Sequence, residues 1–287
     1  MFDFRDRVAF VTGGASGIGL GIARALLAEG VAVAIADLQR EHLDDAAAAL
    51  GDESGKAVFL ELDVTDRDAM TEAADRVERE LGRVDILVNN AGVGVQGPLK
   101  KATFADWDFG IGVNLGGVIN GLQIFVPRMR EGGRGGHVVN TSSLGGIVQG
   151  QSFGAIYATS KAAIIALTES VRDSLEEDGI GASVLCPGPV KSRIHAQRDK
   201  RPDKFAANDA FTAAAQSRGS PPGSELWMDG DEVGTIVIEG IKRNDLYIIT
   251  HGEFRPMAEA RFNAILDAMP RNTNPDLLNA LGIAENG

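Results

Sequence analysis

Seven short runs of β-branched and apolar residues recur along the chain, each bounded by turn residues: Val8–Thr12, Val31–Asp37, Ala57–Glu61, Val84–Asn89, Gly136–Thr141, Gly181–Cys186 and Leu246–Thr250. They are too continuously apolar for strands with one wet face, so they read as strands of a parallel sheet buried on both sides. Helical patterns lie between them. Asp66–Leu81, for instance, puts Ala69, Met70, Ala73, Ala74, Val77 and Leu81 on one stripe, with Thr65 or Asp66 as cap. Strand and helix alternating at this pace make βαβ units and an open, doubly wound α/β sheet flanked by helices. The alternation reaches Pro187 with no Pro- or Ser-rich linker, so residues 1–287 read as one domain. Residues 189–228 break the pattern with Pro202, Pro221 and Pro222, as a substrate lid does. The tail, 270–287, is weakly patterned.

Charge and cysteine content exclude several classes. With 28 Lys+Arg against 40 Asp+Glu the formal net charge is −12, which argues against nucleic acid or anionic lipid as a partner. The lone Cys186 excludes a disulfide framework and a multi-thiolate metal site, and reads as core. His42, His137, His195 and His251 lack metal-ligand spacing and read as solvated or hydrogen-bonded imidazoles, so no metal is expected. The first residues lack a signal peptide's basic start and cleavage site, and no stretch approaches the ~20 apolar residues of a membrane span. A cytoplasmic, membrane-free protein is expected. Glycine is the anomaly: 36 residues, where ordinary usage gives roughly 20.

Several of these glycines follow the first strand, in Thr12-Gly13-Gly14-Ala15-Ser16-Gly17-Ile18-Gly19-Leu20-Gly21, just before a helix. Glycines at such a turn permit positive φ and let a pyrophosphate approach, while the amides of Gly13, Ser16, Gly17 and Ile18 and the helix dipole supply positive potential. The spacing is Gly-x-x-x-Gly-x-Gly. Asp37 stands twenty residues past Gly17, at the tip of the second strand. A carboxylate there accepts both ribose hydroxyls of NAD and repels a 2′-phosphate. Arg40 lies nearby and argues the other way, but the turn itself carries no basic residue, so NAD is favoured.

Thr12–Gly19, Asn89-Asn90-Ala91-Gly92, Asn114, Ser143, Tyr157-x-x-x-Lys161 and Pro187-Gly188 occur in that order. Together they resemble the short-chain dehydrogenase/reductase superfamily in its single-domain, Rossmann-type form, from Phe4 to about Ala268. The resemblance implies that Asp63 and Val64 hold the adenine and that Asn90, Ala91 and Gly92 support the sheet beside the cofactor ribose. It also implies that Pro187, Gly188 and Val190 frame the nicotinamide. Ser192 keeps the hydroxyl of the Thr common in relatives.

Tyr157 and Lys161 are four apart in a helical stretch, Ala155–Asp178, so they share a face. A phenol with pKa near 10 is a poor base at neutral pH, and a nearby ammonium is expected to lower that value. Alcohol oxidation needs a base for the hydroxyl proton while hydride leaves the same carbon, and Tyr157 fits that role. By the resemblance Lys161 also holds the nicotinamide ribose. Ser143, or its neighbour Ser142, can polarise a substrate carbonyl, and the family pattern selects Ser143. Asn114 is by resemblance the fourth member, fixing a water that links Lys161 to solvent; alternatively it is a buried polar residue bonded to backbone.

Around Asn114 the helix carries Gly110, Gly112, Gly116, Gly117 and Gly121, each costing roughly 0.8–1 kcal/mol relative to Ala. Close packing against the sheet or another helix would offset that cost. The corresponding helix of the family joins a subunit contact, so a homodimer or homotetramer is expected.

Substrate-lining candidates are Ser143, Gly94, Gln149, Phe153 and Ile194, with Val93, Val95, Gln151, Pro189, His195, Phe205, Phe211 and Trp227 as further possibilities. Small glycines and apolar loops suit a bulky hydrophobic alcohol or its ketone. Gly112–Gly121, Val126–Met129, Lys191–Ile194, Tyr247–Gly252 and Glu259–Phe262 look like the bacterial Cα-dehydrogenases, which oxidise the benzylic alcohol of lignin-derived β-aryl ethers with NAD. Alternatives are a hydroxysteroid or 3-hydroxyacyl dehydrogenase, or a non-catalytic NAD-binding protein. The last would be expected to have lost Ser143, Tyr157 or Lys161, and all three remain.

Overall fold

A computed structural model describes residues 2–148, 154–192, 223–271 and 274–282, together with 194, 201, 202, 204, 205, 210, 211 and 213. All seven strands form where their runs lie: β1 (Val8–Thr12), β2 (Ala32–Asp37), β3 (Ala57–Glu61), β4 (Ile86–Asn89), β5 (Gly136–Thr141), β6 (Ile180–Cys186) and β7 (Tyr247–Ile249). They make one parallel sheet in the order β3-β2-β1-β4-β5-β6-β7. The order reverses between β1 and β4. In such sheets the crevice beyond the carboxyl ends of the strands at the switch point is where ligands bind.

Alternation along each strand feeds two cores. Phe10, Leu87, Val138 and Val184 point to one face, against α3 (Arg67–Glu80), α5 (Gly117–Gly132) and α7 (Ala155–Glu176), which contribute Met70, Val77, Phe125 and Ile164. Ala9, Val11, Ile86 and Leu185 point to the other. They meet Ile22 and Leu26 of α1 (Gly17–Ala28), Leu43 of α2 (Arg40–Leu50), and Val233 and Val237 of α8 (Gly230–Arg243). Of the two candidate caps for α3, Asp66 is the one used: its side chain accepts from the Asp68 and Ala69 amides at 3.0 Å.

The glycines of α1 do more than open a phosphate turn. A Cβ on Gly21 would lie 1.9 Å from the Gly230 carbonyl oxygen, and one on Gly234 would lie 2.2 Å from that of Gly21. Gly21, read in the sequence with the phosphate turn, is thus a contact between two helix backbones. The Asn114 region shows similar packing. Phe104–Ile111 (α4), a π-helical turn at Gly112–Gly116 and α5 run on continuously. A Cβ on Gly110 would strike Ile156 at 2.4 Å, one on Gly117 Val64 at 2.7 Å, and one on Gly121 Asn89 at 2.1 Å. The 29-residue run Phe104–Gly132 is long and apolar enough to cross a membrane by length and composition, contrary to the sequence expectation; 61% of its apolar window is buried inside the fold, as in a core helix.

His137 on β5 is 1% exposed, and its Nε2 lies 2.8 Å from Ser183 Oγ. That hydroxyl donates to the Asp245 carbonyl, so Nε2 must be the protonated ring nitrogen. Burial, seconded by Arg172, pushes the imidazole pKa down to about 3. The unfolded chain therefore binds a proton near pH 6.5 that the fold refuses, and stability is lost as pH falls through that value. Between pH 7 and pH 5 the loss is about 2 kcal/mol. Denaturant melts of wild type and His137→Gln at both pH values check this: the variant should lack that increment of the slope.

The chain divides into two compact units, Met1–His251 and Gly252–Gly287. The second holds α9 (Arg255–Ala268), with Pro256 in its first turn, and α10 (Pro275–Ala280), capped by the Asn274 side chain.

Candidate active site

A cleft with about 1090 Å³ of empty space opens at the switch point. At one end β1 delivers its glycine turn. Gly13 (φ 59°) and Gly17 (φ 50°) hold backbone conformations that favour glycine. A Cβ on Gly13 would also lie 2.8 Å from the Ala91 Cα, and one on Gly17 2.9 Å from the Ser192 Cβ. Thr12 Oγ1 accepts from the Asn90 and Ala91 amides at 2.9 and 3.0 Å. Asn90 Nδ2 donates to the Thr12 and Gly13 carbonyls, and Thr141 Oγ1 donates to Asn90 Oδ1 at 3.3 Å. One side chain thus ties the turn to β5. At the N-terminus of α1 the Ser16 side chain makes no capping bond and the first turn holds no acid, so its amides can serve an anion.

Asp37 is 4% exposed and lines the cleft with Leu38 and Gln39. Its Oδ1 accepts from the Gln39 amide at 3.2 Å and lies 3.4 Å from His42 Nδ1. Arg40, which on sequence argued against NAD, pairs with Glu61 at 3.4 Å. Asp63 takes hydrogen bonds from the Thr65 amide and hydroxyl and a 2.8 Å contact from Lys204. Burial pushes its carboxyl up, but Lys204 and Thr65 outweigh burial and hold it below the ordinary value.

At the other end stand Tyr157 and Lys161, one turn apart on α7. Lys161 is 2% exposed; its Nζ donates to the Thr141 carbonyl at 2.8 Å and lies 5.7 Å from the Tyr157 ring centre. Burial pushes its pKa down to about 8, the Cys186 thiol opposing, and burial pushes that thiol up to about 12. The Tyr157 hydroxyl moves opposite to the sequence expectation. Burial raises it, the Ser143 hydrogen bond offsets only part, and the Lys161 ammonium is not among the causes. The reason is that burial puts the Lys161 pKa below that of the raised phenol, so the amine has lost its charge before the phenol ionises.

The two serines differ in their partners, although it is Ser142 that lines the cleft. Ser142 is 1% exposed and its Oγ donates to the Lys161 carbonyl at 2.6 Å, fixing β5 to α7. Ser143 caps the four-residue α6 (Leu144–Ile147), accepting from the Gly145 amide at 3.0 Å, and is the one bonded to Tyr157. Asn114 sits in the π-helical turn, fully buried. Its Oδ1 accepts from the Val93 amide at 2.7 Å, and its Nδ2 donates to the Val93 carbonyl and Ser160 Oγ. This is the backbone-bonding alternative. A Cβ on Gly92 would lie 3.2 Å from Asn114 Oδ1 and 3.4 Å from Lys161 Nζ, so Gly92 is what lets those two groups come close.

Gly13, Ser16, Ile18, Asp37, Asp63, Val64, Asn90, Ala91, Gly92, Tyr157, Lys161, Pro187, Ser192 and Ile194 line the cleft together. Gly94 is buried beside Val93, which does line it; Val190 is buried and bridged to Met228. Gly188 packs on His251, its amide donating to Thr250 Oγ1. Gln149, Gln151, Phe153 and His195 lie outside the described residues. Sequence reasoning missed Phe109, Val113 and Pro202, which give the cleft an apolar wall. Phe109 and Val113 are four apart on the helix that carries Asn114, a spacing that could have revealed them. Phe109 is held by Phe205 (5.4 Å) and by the Arg201 guanidinium (4.7 Å), itself paired with buried Asp106 at 2.9 Å.

Comparison with known proteins agrees with this arrangement. The family model for short chain dehydrogenases matches residues 7–203. A C alpha-dehydrogenase from Sphingobium sp. is 39% identical over 96% of this chain and 91% of its own. A short-chain dehydrogenase structure from Novosphingobium aromaticivorans superposes with TM-score 0.83 at 38% identity, covering 98% of this chain and 95% of that one. A short chain dehydrogenase/reductase from Burkholderia phymatum, solved in complex with NAD, gives TM-score 0.85 at 30% identity over 96% of this chain and 99% of that one. A parallel sheet with a glycine turn at its switch point, a Tyr–Lys pair facing that turn, and these matches lead to one conclusion: the chain belongs to the short-chain dehydrogenase/reductase family of oxidoreductases.

Proposed function

We propose that the chain is an NAD-dependent dehydrogenase that interconverts a bulky aryl secondary alcohol and its ketone. The observation that carries this is the composition of this cleft: a carboxylate at its glycine-turn end, a Tyr–Lys pair at the other, and an apolar wall beside that pair. The cofactor fits the residues present. Gly13, Ser16, Gly17 and Ile18 would hold the pyrophosphate, Asp37 the adenosine ribose, Asp63 and Val64 the adenine. Asn90, Ala91, Gly92 and Lys161 would hold the other ribose, and Pro187, Gly188, Val190 and Ser192 the nicotinamide end. NAD, when bound, supplies the hydride acceptor.

The chain's own groups do the rest. Ser143 donates a hydrogen bond to the substrate oxygen and orients it, and Tyr157 takes the alcohol proton at its Oη. Lys161 keeps positive charge under that site, and Asn114 holds the Val93 backbone in the loop after β4. Phe109, Val113, Val93 and Ile194 present apolar surface and no charge pair, which suits an aryl group better than a phosphorylated or carrier-bound acyl substrate. The likeness to a protein named C alpha-dehydrogenase points to the Cα-alcohol of a β-aryl ether.

Turnover with NAD on a panel of β-aryl ether alcohols, simple aryl carbinols, hydroxysteroids and β-hydroxyacyl thioesters tests the reading. The aryl alcohols should lead in kcat/KM. Activity confined to the thioesters or the steroids would overturn the substrate class.

A further inference from the structure

The His42–Asp37 contact is not used by the mechanism above. His42 is 7% exposed in the first turn of α2, and its Nδ1 faces the carboxylate at 3.4 Å. Both groups that touch Asp37 reach the same oxygen: the Gln39 amide and His42 Nδ1 share Oδ1. Among the described residues none donates a hydrogen bond to Oδ2, and Asp37 is a lining residue of the cleft. The carboxylate is therefore held by one oxygen while the other stays available as an acceptor. A ribose diol needs such an acceptor, and a 2′-phosphate is repelled by it.

We propose that His42 is a positioning residue for cofactor selection: donating through Nδ1–H to Asp37 Oδ1, it turns the other carboxylate oxygen toward the ribose diol. This rests on the NAD reading above.

Fluorescence titration of wild type, His42→Asn and His42→Leu with NADH and NADPH tests the proposal without turnover. Asn places a neutral donor where Nδ1 stands; Leu removes it. His42→Leu should bind NADH about tenfold more weakly than wild type, as loss of a hydrogen bond to a charged group does, and its NADH:NADPH affinity ratio should fall with it. His42→Asn should stay within about threefold of wild type in both. NADH binding by His42→Leu equal to wild type, or an equal loss in His42→Asn and His42→Leu, overturns the role of His42 alone. Failure of wild type to bind NADH overturns the cofactor reading and this proposal with it.

Discussion

Replacing Tyr157 by Phe should lower turnover of the aryl alcohol by about 10²–10⁴-fold while leaving NADH affinity within a factor of a few. The magnitude is that of a positioned acid–base group. The split arises because the hydroxyl is the only atom removed: the ring stays on α7 beside Lys161, and the glycine turn and Asp37 are untouched. Burial adds a direction. It holds the Tyr157 hydroxyl above the ordinary phenol value, so the protonated form prevails at neutral pH. Oxidation, which needs the phenolate, should gain as pH rises; ketone reduction, which needs the phenol, should not. Steady-state rates in both directions from pH 6 to 10, with fluorescence titration of NADH, check the prediction. Turnover in Tyr157→Phe equal to wild type would remove Tyr157 from the proton path.

The second large effect lies away from the chemistry. Gly21→Ala should destabilise the fold by about 3 kcal/mol or more, because a methyl at 1.9 Å from the Gly230 carbonyl oxygen forces apart two backbones that have no side chain to yield. For a chain of this size that is a fall in Tm of roughly 6–12 °C. NADH affinity should fall with it, since α1 carries the amides of the turn. The same exchange at Gly116 has the opposite sign. There the nearest atom to the new methyl is the Ile111 carbonyl oxygen at 3.6 Å, an ordinary contact, on helical backbone. Gly116→Ala should be neutral or stabilising by up to about 1 kcal/mol. Calorimetry on the pair separates contact from propensity: equal effects at both positions would refute the packing account.

The two glycines illustrate what can be read from a chain and what cannot. Both stand in helices, and no local rule distinguishes them. Gly21 sits in a run that also reads as a phosphate turn, and only the docking of α8, more than two hundred residues later, shows which carbonyl it faces. Tyr157 shows the same limit in electrostatics. Spacing puts Tyr157 and Lys161 on one helix face, but whether an ammonium lowers a phenol depends on how deeply both are buried, and burial drops the Lys161 pKa below that of the phenol. Ser142 and Ser143 are likewise the same residue type side by side; the alternation of the extended chain after β5 sends one hydroxyl to the Lys161 carbonyl and leaves the other beside Tyr157.

What the amino-acid order determined by itself was the architecture and the residue types of the site. Strand runs apolar on both faces can be satisfied only between two helix layers, and the glycine turn, Asp37 and the Tyr–Lys pair are local patterns whose spacing survives any packing. What the tertiary structure alone decided were the contacts between distant segments. The Phe109 wall, the backbone contact of α1 with α8, and the His42–Asp37 geometry each arise from elements brought together by the sheet or turned by a helix. Direction and distance, which set both clash and charge, do not exist until the chain has folded.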